Sequence, residues 1–180
     1  MGADRQHHAR GQLARVGNVL FGADRAVTKW VAARIPGFQI ASEAKALGVV
    51  KDGQLVAGIV YERFNGVHIE ASIAALPDVS WASRGTLFSM FHYPFGTLGC
   101  QVISVIVPMS NLASINLASK LGFEPEAIIR FAAHDGSDIL VMKMYRKNCR
   151  WIQDGQKRRR PARSAGSIRD SGGGIAVQSA

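Results

Sequence analysis

Apolar residues recur at helical spacing in three segments of the chain, each bounded by residues that start or stop helices. The predicted helices cover residues 23–35, 83–93 and 112–121. Pro36 ends the first helix, and Ser83 is a favourable N-cap for the second. Asn111 can cap the third, and Gly122 suits the position just after a helix C-terminus. The pattern therefore predicts three helices, each with an apolar face for packing.

Six further apolar runs predict strands. They cover residues 46–51, 55–61, 67–74, 102–107, 127–132 and 139–145. Asp52-Gly53 and Asn65-Gly66 are turn signals that join the first three runs into an antiparallel meander. The run VISVIV at 102–107 is almost continuously apolar, which is typical of a buried strand. The order of elements predicts an α/β (α+β) domain in which antiparallel hairpins flank a β-α-β crossover.

The chain has 180 residues, of which 47% are hydrophobic, and this suits one globular domain. We expect a flexible segment at residues 1–22, the domain at residues 23–152 and a disordered basic tail at residues 153–180. No apolar run approaches the ~20 residues that cross a bilayer, and we find no secretory signal. Cys100 and Cys149 make neither a disulfide framework nor a zinc cluster, so we expect a cytoplasmic protein without membrane partner or metal.

Part of the positive charge lies in the tail. The net charge is +9, and residues 153–180 contribute six Lys/Arg against two Asp. Such a polar segment cannot bury enough apolar surface to offset its ordering entropy. The tail is then either a solvated extension or an arm that holds the phosphates of a nucleic acid, and its charge leaves both open.

One stretch carries a family resemblance. Residues 105–123 read VIVPMSNLASINLASKLGF, in which Asn111 precedes Gly122 of a Leu-Gly-Phe end by eleven residues. Together with the KDGQLVAG hairpin at 51–58, this resembles the GNAT superfamily of acyl-CoA-dependent N-acyltransferases over about residues 45–152. The stretch FHYPFGTLG at 91–99, the VPMSN run and Cys149-Arg150-Trp151 are similar to GNAT proteins encoded by tailed phages.

The resemblance implies a three-layer fold, in which helices flank a mixed central sheet of about six or seven strands. It also implies acetyl-CoA or another acyl-CoA as co-substrate, held where two neighbouring strands splay beside a helix start. The family's phosphate-binding loop falls at Ser83, Arg84 and Gly85, without its usual spacing of glycines. These residues are cofactor-binding candidates, because amides at a helix start hold anions. The alternative is a simple cap with a solvated arginine.

A second departure lies in the following helix. The tyrosine that commonly protonates the leaving thiolate in the family falls at Ala118, which has no proton to give. Tyr93 is a candidate to supply it, and so is Tyr61, although packing is the better explanation for either ring. Ser110 and Asn111 lie where the crossover strand ends, which is where sheets of this kind bind ligands. Ser110 is therefore a catalytic candidate and Asn111 a cofactor-binding candidate, with helix capping as the alternative.

Glu70 is the candidate general base. Strand alternation places His68, Glu70 and Ser72 on one face, and that polar face is either the site or open to solvent. A carboxylate in a half-apolar cleft can accept the proton of an attacking amine. His68 is a candidate for substrate binding or proton relay, and Asp138 for holding a substrate amine or stabilising a turn.

Three functions fit these features. The first is an N-acyltransferase whose acceptor is an amine-bearing small molecule, a protein or a nucleobase. The second is a Mom-like modifier of DNA bases, since a base modifier needs aromatic and basic groups near its site. Its candidate residues are Trp81, Arg84, His92 and Tyr93. The third is a non-catalytic GNAT scaffold that binds nucleic acid through the tail.

Overall fold

The computed structural model describes residues 14–153, which form one mixed sheet with helices on both faces. The strands are β1 (Ala14–Val16), β2 (Val19–Phe21), β3 (Lys45–Lys51), β4 (Gln54–Glu62), β5 (His68–Ala75), β6 (Val102–Pro108), β7 (Glu124–Ile129) and β8 (Ile139–Tyr145). The helices are α1 (Asp24–Ala32), α2 (Arg84–His92) and α3 (Leu112–Leu121). The sheet order is β1-β2-β3-β4-β5-β6-β8-β7. The predicted fold class is confirmed.

The predicted meander forms through tight turns. β3, β4 and β5 pair antiparallel in chain order. Asp52 and Gly53, which connect the first two, have φ angles of 49° and 78°. A two-residue hairpin loop with positive φ at both positions matches the twist of the flanking strands, which explains the Asp-Gly signal. The crossover also forms as predicted, because β5 and β6 run parallel with α2 between them.

The sheet is larger than predicted at its N-terminal edge. Residues 14–21, expected to belong to a flexible segment, form the hairpin of β1 and β2 around Gly17. β2 then pairs with β3, so the sheet has eight strands instead of six or seven. The strands are only three residues long, which is too short for a clear alternation in the sequence. Residues 1–13 and 154–180, with most of the predicted tail, lie outside the described part of the chain.

The two faces of the sheet are covered unequally. α1 packs Val27 and Val31 against Val60 and Ala74 on one face. α2, α3 and the C-terminal segment cover the other face, where Phe91 stacks on Trp151 at a centroid distance of 6.5 Å. The indole Nε1 of Trp151 donates to the carbonyl of Leu121, 2.7 Å away, so the C-terminal segment packs against the end of α3. Within residues 14–153, no helix is long and apolar enough to cross a membrane.

Two element boundaries differ from the prediction. The seventh strand covers Glu124–Ile129 instead of 127–132. The chain turns away at Phe131, which has a φ of 55° and whose N–H donates to the carboxylate of Asp138 over 2.9 Å. Pro94 does not end the second helical segment, because a π-helical turn over Tyr93–Thr97 continues α2. Pro94 has no N–H to donate, and the carbonyl of Met90, four residues before it, accepts instead from the hydroxyl of Tyr61 over 2.7 Å.

Candidate active site

Two neighbouring strands in the middle of the sheet separate along their length. β5 and β6 pair over only three residues of each, 68–70 with 102–104. Beyond these, residues 71–75 remain paired with β4, and residues 105–108 remain paired with β8. The strands therefore diverge toward their carboxyl ends and leave a slot between them, which we call the splay slot.

The inner edges of the splay slot expose backbone hydrogen-bonding groups. In a strand, alternate residues direct their N–H and C=O toward opposite neighbours. Residues 71–75 and 105–108 each have a strand partner on their outer side, but no backbone pair joins the two within the described chain. Donors and acceptors in such a position bond to a ligand or to water. The slot can therefore take an extended ligand that carries amide groups.

The splay slot is a cleft of 110 Å³ that is apolar along most of its walls. Its walls are formed by Ile35, Ala71, Ser72, Ile73, Val105, Ile106, Val107, Pro108, Asn111, Ser114, Leu117 and Ala118. Ile35 comes from the end of the α1 segment, and Leu117 comes from α3 on the other side of the sheet. The polar side chains of the wall are those of Ser72, Asn111 and Ser114. Ala118 contributes a small methyl group, so the slot stays open at this point.

The closed end of the slot is polar. Glu70 and Ser104 are the last paired residues before the strands diverge, and they are direct partners in the register. Glu70 is ion-paired with Arg63, and its side chain is 14% exposed. Ser104 is buried, and its Oγ lies 2.7 Å from Nε2 of His68. The structure thus brings two predicted residues, Glu70 and His68, together with one that was not predicted.

Asn111 and Ser110 have different surroundings at the open end. The side-chain oxygen of Asn111 accepts from the N–H of Ser114 over 3.0 Å, so the residue caps α3 and also lines the slot. Ser110 does not line the slot, and its hydroxyl donates to Asp135 over 2.5 Å. Hydrogen bonds from Ser110 and from Ser137 lower the pKa of Asp135 to about 2. Asp138 holds the same turn through the N–H of Phe131, which is the turn-stabilising alternative.

Ser83, Arg84 and Gly85 form the start of α2, as expected. The hydroxyl of Ser83 accepts from the N–H of Thr86 over 3.2 Å, so the predicted cap is confirmed. All three residues are exposed, and an added side chain at Gly85 would meet its nearest atom at 4.0 Å. They do not line the splay slot, but they follow β5, whose carboxyl half forms one wall of it. Their role in phosphate binding stays a prediction.

The two tyrosines lie in a different cavity. Tyr61 and Tyr93 are in ring contact at 5.1 Å and line a cavity of 540 Å³ with Ile69 and Glu62. Ile69 and Glu70 alternate along β5, so the side chains of Glu70 and Ile69 point to opposite faces of the sheet. Burial, and after it the charge of Asp24, raises the pKa of Tyr93, which makes the phenol a weaker acid. The structure therefore does not place Tyr93 beside Glu70 or in the slot.

The residues suggested for contact with a DNA base differ in their exposure. Trp81 is buried in the core at 9% exposure, so its ring has no free face for a base. Tyr93 is half-buried and in ring contact with Tyr61, whose hydroxyl donates to the carbonyl of Met90 over 2.7 Å. His92 is exposed and stacks on Phe88. Trp81 is thus excluded as a stacking platform.

The sequence did not point to Ser104 or Ser114. Ser104 is the one polar residue in the run VISVIV, and this interruption of a buried strand was the available signal. Ser72, which alternation placed on the polar face of Glu70 without a role of its own, lines the slot as well. Ser114 precedes Ala118 by one helical turn. Their joint position at the slot depends on how β5, β6 and α3 meet, which no local pattern encodes.

Solved structures of acetyltransferases share this fold. A GNAT-family acetyltransferase from Bacillus anthracis matches with a TM-score of 0.55 and 15% identity, covering 76% of this chain and 99% of that chain. The spermidine/spermine N-acetyltransferase SpeG from Vibrio cholerae matches with a TM-score of 0.52 and 17% identity, covering 58% and 68%. A spermidine N-acetyltransferase from Vibrio cholerae, solved with CoA and spermine, gives a TM-score of 0.51 and 16% identity, covering 59% and 68%.

The comparisons by sequence do not assign the chain to a family. No protein-family model matches the chain, and no curated protein matches it. At identities of 14–18%, likeness between structures establishes the fold and does not by itself establish an activity. The chain therefore has the GNAT fold that acetyltransferases use, and its function has to be argued from the splay slot.

Proposed function

We propose that the protein is an acyl-CoA-dependent N-acyltransferase that transfers an acyl group to a primary amine by direct attack. The splay slot is the observation that carries this proposal. Its unpaired strand edges suit the amide-bearing arm of an acyl-CoA, and its apolar walls suit the methylene groups of that arm. With acetyl-CoA as the donor, the acetyl group would lie toward the closed end, beside Glu70.

The residues at the open end are assigned to the donor. Asn111 and Ser114 at the start of α3 line the slot and would contact the acyl-CoA arm. Ser83, Arg84 and Gly85 start α2, and the N-terminus of a helix favours an anion. We assign the phosphates of the donor to this helix start, with Arg84 as the charge partner.

Glu70 is assigned the role of general base. It accepts the proton that the amine loses as its nitrogen bonds to the carbonyl carbon. The charge that develops on the carbonyl oxygen needs hydrogen-bond donors, and unpaired N–H groups along residues 71–75 and 105–108 are available for it. The C–S bond then breaks and the thiolate leaves with its electron pair.

The acceptor is proposed only as a class. An amine-bearing small molecule, an amine of a protein and a nucleobase all satisfy this chemistry, as do acyl groups other than acetyl. The fold similarity to a spermidine N-acetyltransferase makes spermine a sensible probe amine. The resemblance to the phage-encoded subgroup and the cytoplasmic location stay predictions.

Binding of the donor tests the proposal directly. At a concentration 100 times its Kd, acetyl-CoA should stabilise the folded chain by about 2.7 kcal/mol, which raises Tm by roughly 5–10 °C. Ser114→Trp should abolish this rise because the indole fills the slot. Ala113→Trp is the matched control, since Ala113 is exposed and does not line the slot. Absence of any rise in the unmodified protein with acetyl-, propionyl- and malonyl-CoA would reject the proposal.

A further inference from the structure

A serine and a histidine are hydrogen-bonded at the closed end of the splay slot. Ser104 Oγ and His68 Nε2 are 2.7 Å apart across β6 and β5. Ser104 is 9% exposed, while His68 is half-buried. A hydroxyl held this close to an imidazole can exchange its proton with the ring.

This pair lies where the reaction would take place. Ser104 is the last residue of β6 that pairs with β5, and Val105, the next residue, already lines the slot. Glu70 is the register partner of Ser104 on the same sheet face, and alternation places His68 on that face too. The general base and the Ser104–His68 pair therefore flank the same closed end.

Position 118, on the α3 side of the slot, carries no proton donor, and the hydroxyl on that side belongs to Ser114, one helical turn earlier. Ala118 lines the slot with a methyl group, at the position where the resemblance to GNAT enzymes implies a tyrosine. An alkyl thiolate is a basic leaving group, so its departure is faster when a proton reaches the sulfur. Tyr93 does not line the slot, and burial raises the pKa of its phenol.

We propose that Ser104 and His68 form a proton relay that protonates the departing thiolate of the acyl donor, in place of the tyrosine that is absent at position 118. The proposal rests on the acyltransferase function proposed above. As the C–S bond breaks, its electron pair goes to sulfur and the Ser104 hydroxyl proton follows. The Nε2 proton of the imidazolium form of His68 restores the hydroxyl. The proton taken from the amine resides on Glu70, and solvent returns it to His68.

The neighbouring charges are compatible with this direction of transfer. Glu70, next to the pair, forms an ion pair with Arg63. Lys143 is the register partner of Ser104 on β8. Lys143 is itself paired with Glu126, so the charges of both Arg63 and Lys143 are neutralised by carboxylates. An imidazolium at His68 then faces no unpaired cation from Arg63 or Lys143.

Changing the leaving group tests the relay. Ser104→Ala and His68→Gln should each lower kcat/KM for acetyl-CoA with spermine by about 10²-fold. The aromatic thiolate of S-acetyl-4-nitrothiophenol is a weak base and leaves without being protonated. With this donor, kcat/KM of the same variants should therefore fall by less than about threefold. Ser104→Thr keeps the hydroxyl and should restore most of the kcat/KM for acetyl-CoA.

Ser119→Ala serves as the control, because Ser119 is an exposed serine on α3. If kcat/KM of the variants fell equally with both acyl donors, or fell with neither, the proposed relay would be overturned.

A second readout does not depend on turnover. In nitrogen-15 NMR spectra, the Nε2 signal of His68 should shift in Ser104→Ala and remain near its original position in Ser104→Thr. An unchanged signal in Ser104→Ala would mean that the hydrogen bond does not form in solution, which overturns the proposal at its first step. If the unmodified protein binds no acyl-CoA while the NMR shift is observed, the proposed function fails and the Ser104–His68 contact stands.

Discussion

Glu70 occupies the last position at which β5 still pairs with β6, and this places its carboxylate beside the closed end of the splay slot. Glu70→Gln keeps the size and most hydrogen bonds of the side chain but removes its capacity to accept a proton. We expect kcat for acetyl transfer to spermine to fall by about 10²-fold or more, while the Tm rise caused by acetyl-CoA is kept.

Lys45→Gln is the matched control for this change. Lys45 also forms an ion pair, with Asp24, but its side chain is 61% exposed and it does not line the splay slot. Each substitution removes one ion pair that has an exposed partner, which contributes about 0–1 kcal/mol, so stability should change little in either. An equal loss of activity in the two variants would show that Glu70 has no special role.

At the scale of elements, the packing of α1 on the sheet depends on a close approach at Gly58. A side chain at this position of β4 would lie 2.6 Å from Cγ2 of Val31 and 3.0 Å from Cγ1 of Val27. Both valines are buried, and their short side chains cannot move aside. Gly58→Ala should therefore lower the free energy of unfolding by about 1–3 kcal/mol, measured by urea denaturation.

Gly85→Ala is the corresponding control in a helix. A Cβ added at Gly85, in the first turn of α2, would lie 4.0 Å from its nearest neighbour, Oγ of Ser83. Alanine also has a higher helix propensity than glycine. We expect its free energy of unfolding to be unchanged or to rise by less than about 1 kcal/mol. If Gly58→Ala and Gly85→Ala had the same unfolding midpoint, this would contradict the close packing of α1 on β4 at Gly58.

Most elements follow from local patterns. The Asp-Gly turn, the helix between Asn111 and Gly122 and the buried strand 102–107 all form where the sequence predicts them. Each has a signal of its own: a backbone angle that glycine tolerates, a side-chain cap or an unbroken apolar run. β1 and β2 were missed because three-residue strands carry no periodicity. β7 was shifted because the chain turns at Phe131, whose N–H is held by Asp138, seven residues further along the chain.

At the scale of the whole molecule, the question is whether the tail binds nucleic acid. Its six Lys/Arg are Lys157, Arg158, Arg159, Arg160, Arg163 and Arg169. If all of them contact phosphates, the logarithm of the binding constant for duplex DNA should fall with the logarithm of salt concentration at a slope of about −5. In a variant with Gln at all six positions, fluorescence anisotropy should give a much shallower dependence of the DNA-binding constant on salt concentration. An unchanged slope would assign DNA binding to the folded domain, where Arg25, Arg34 and other surface cations lie.

The candidate site was predicted only in part. Glu70, His68 and Asn111 were identified from alternation and capping, and the structure places all three at the splay slot or its closed end. Ser110, Asp138 and Tyr93 were also named, but they lie in a turn or in another cavity. A polar residue at the end of a strand has the same local pattern whether it faces a ligand or caps a turn.

The sequence by itself determined the order and type of the main elements, since helix caps, turn residues and apolar periodicity act over a few residues. It also determined that position 118 carries no ionisable group. Only the tertiary structure decided where β5 parts from β6, and therefore that Ser104 and His68 meet beside Glu70. Beyond that point β5 stays paired with β4 and β6 with β8, and such contacts between distant segments leave no periodic trace in the chain.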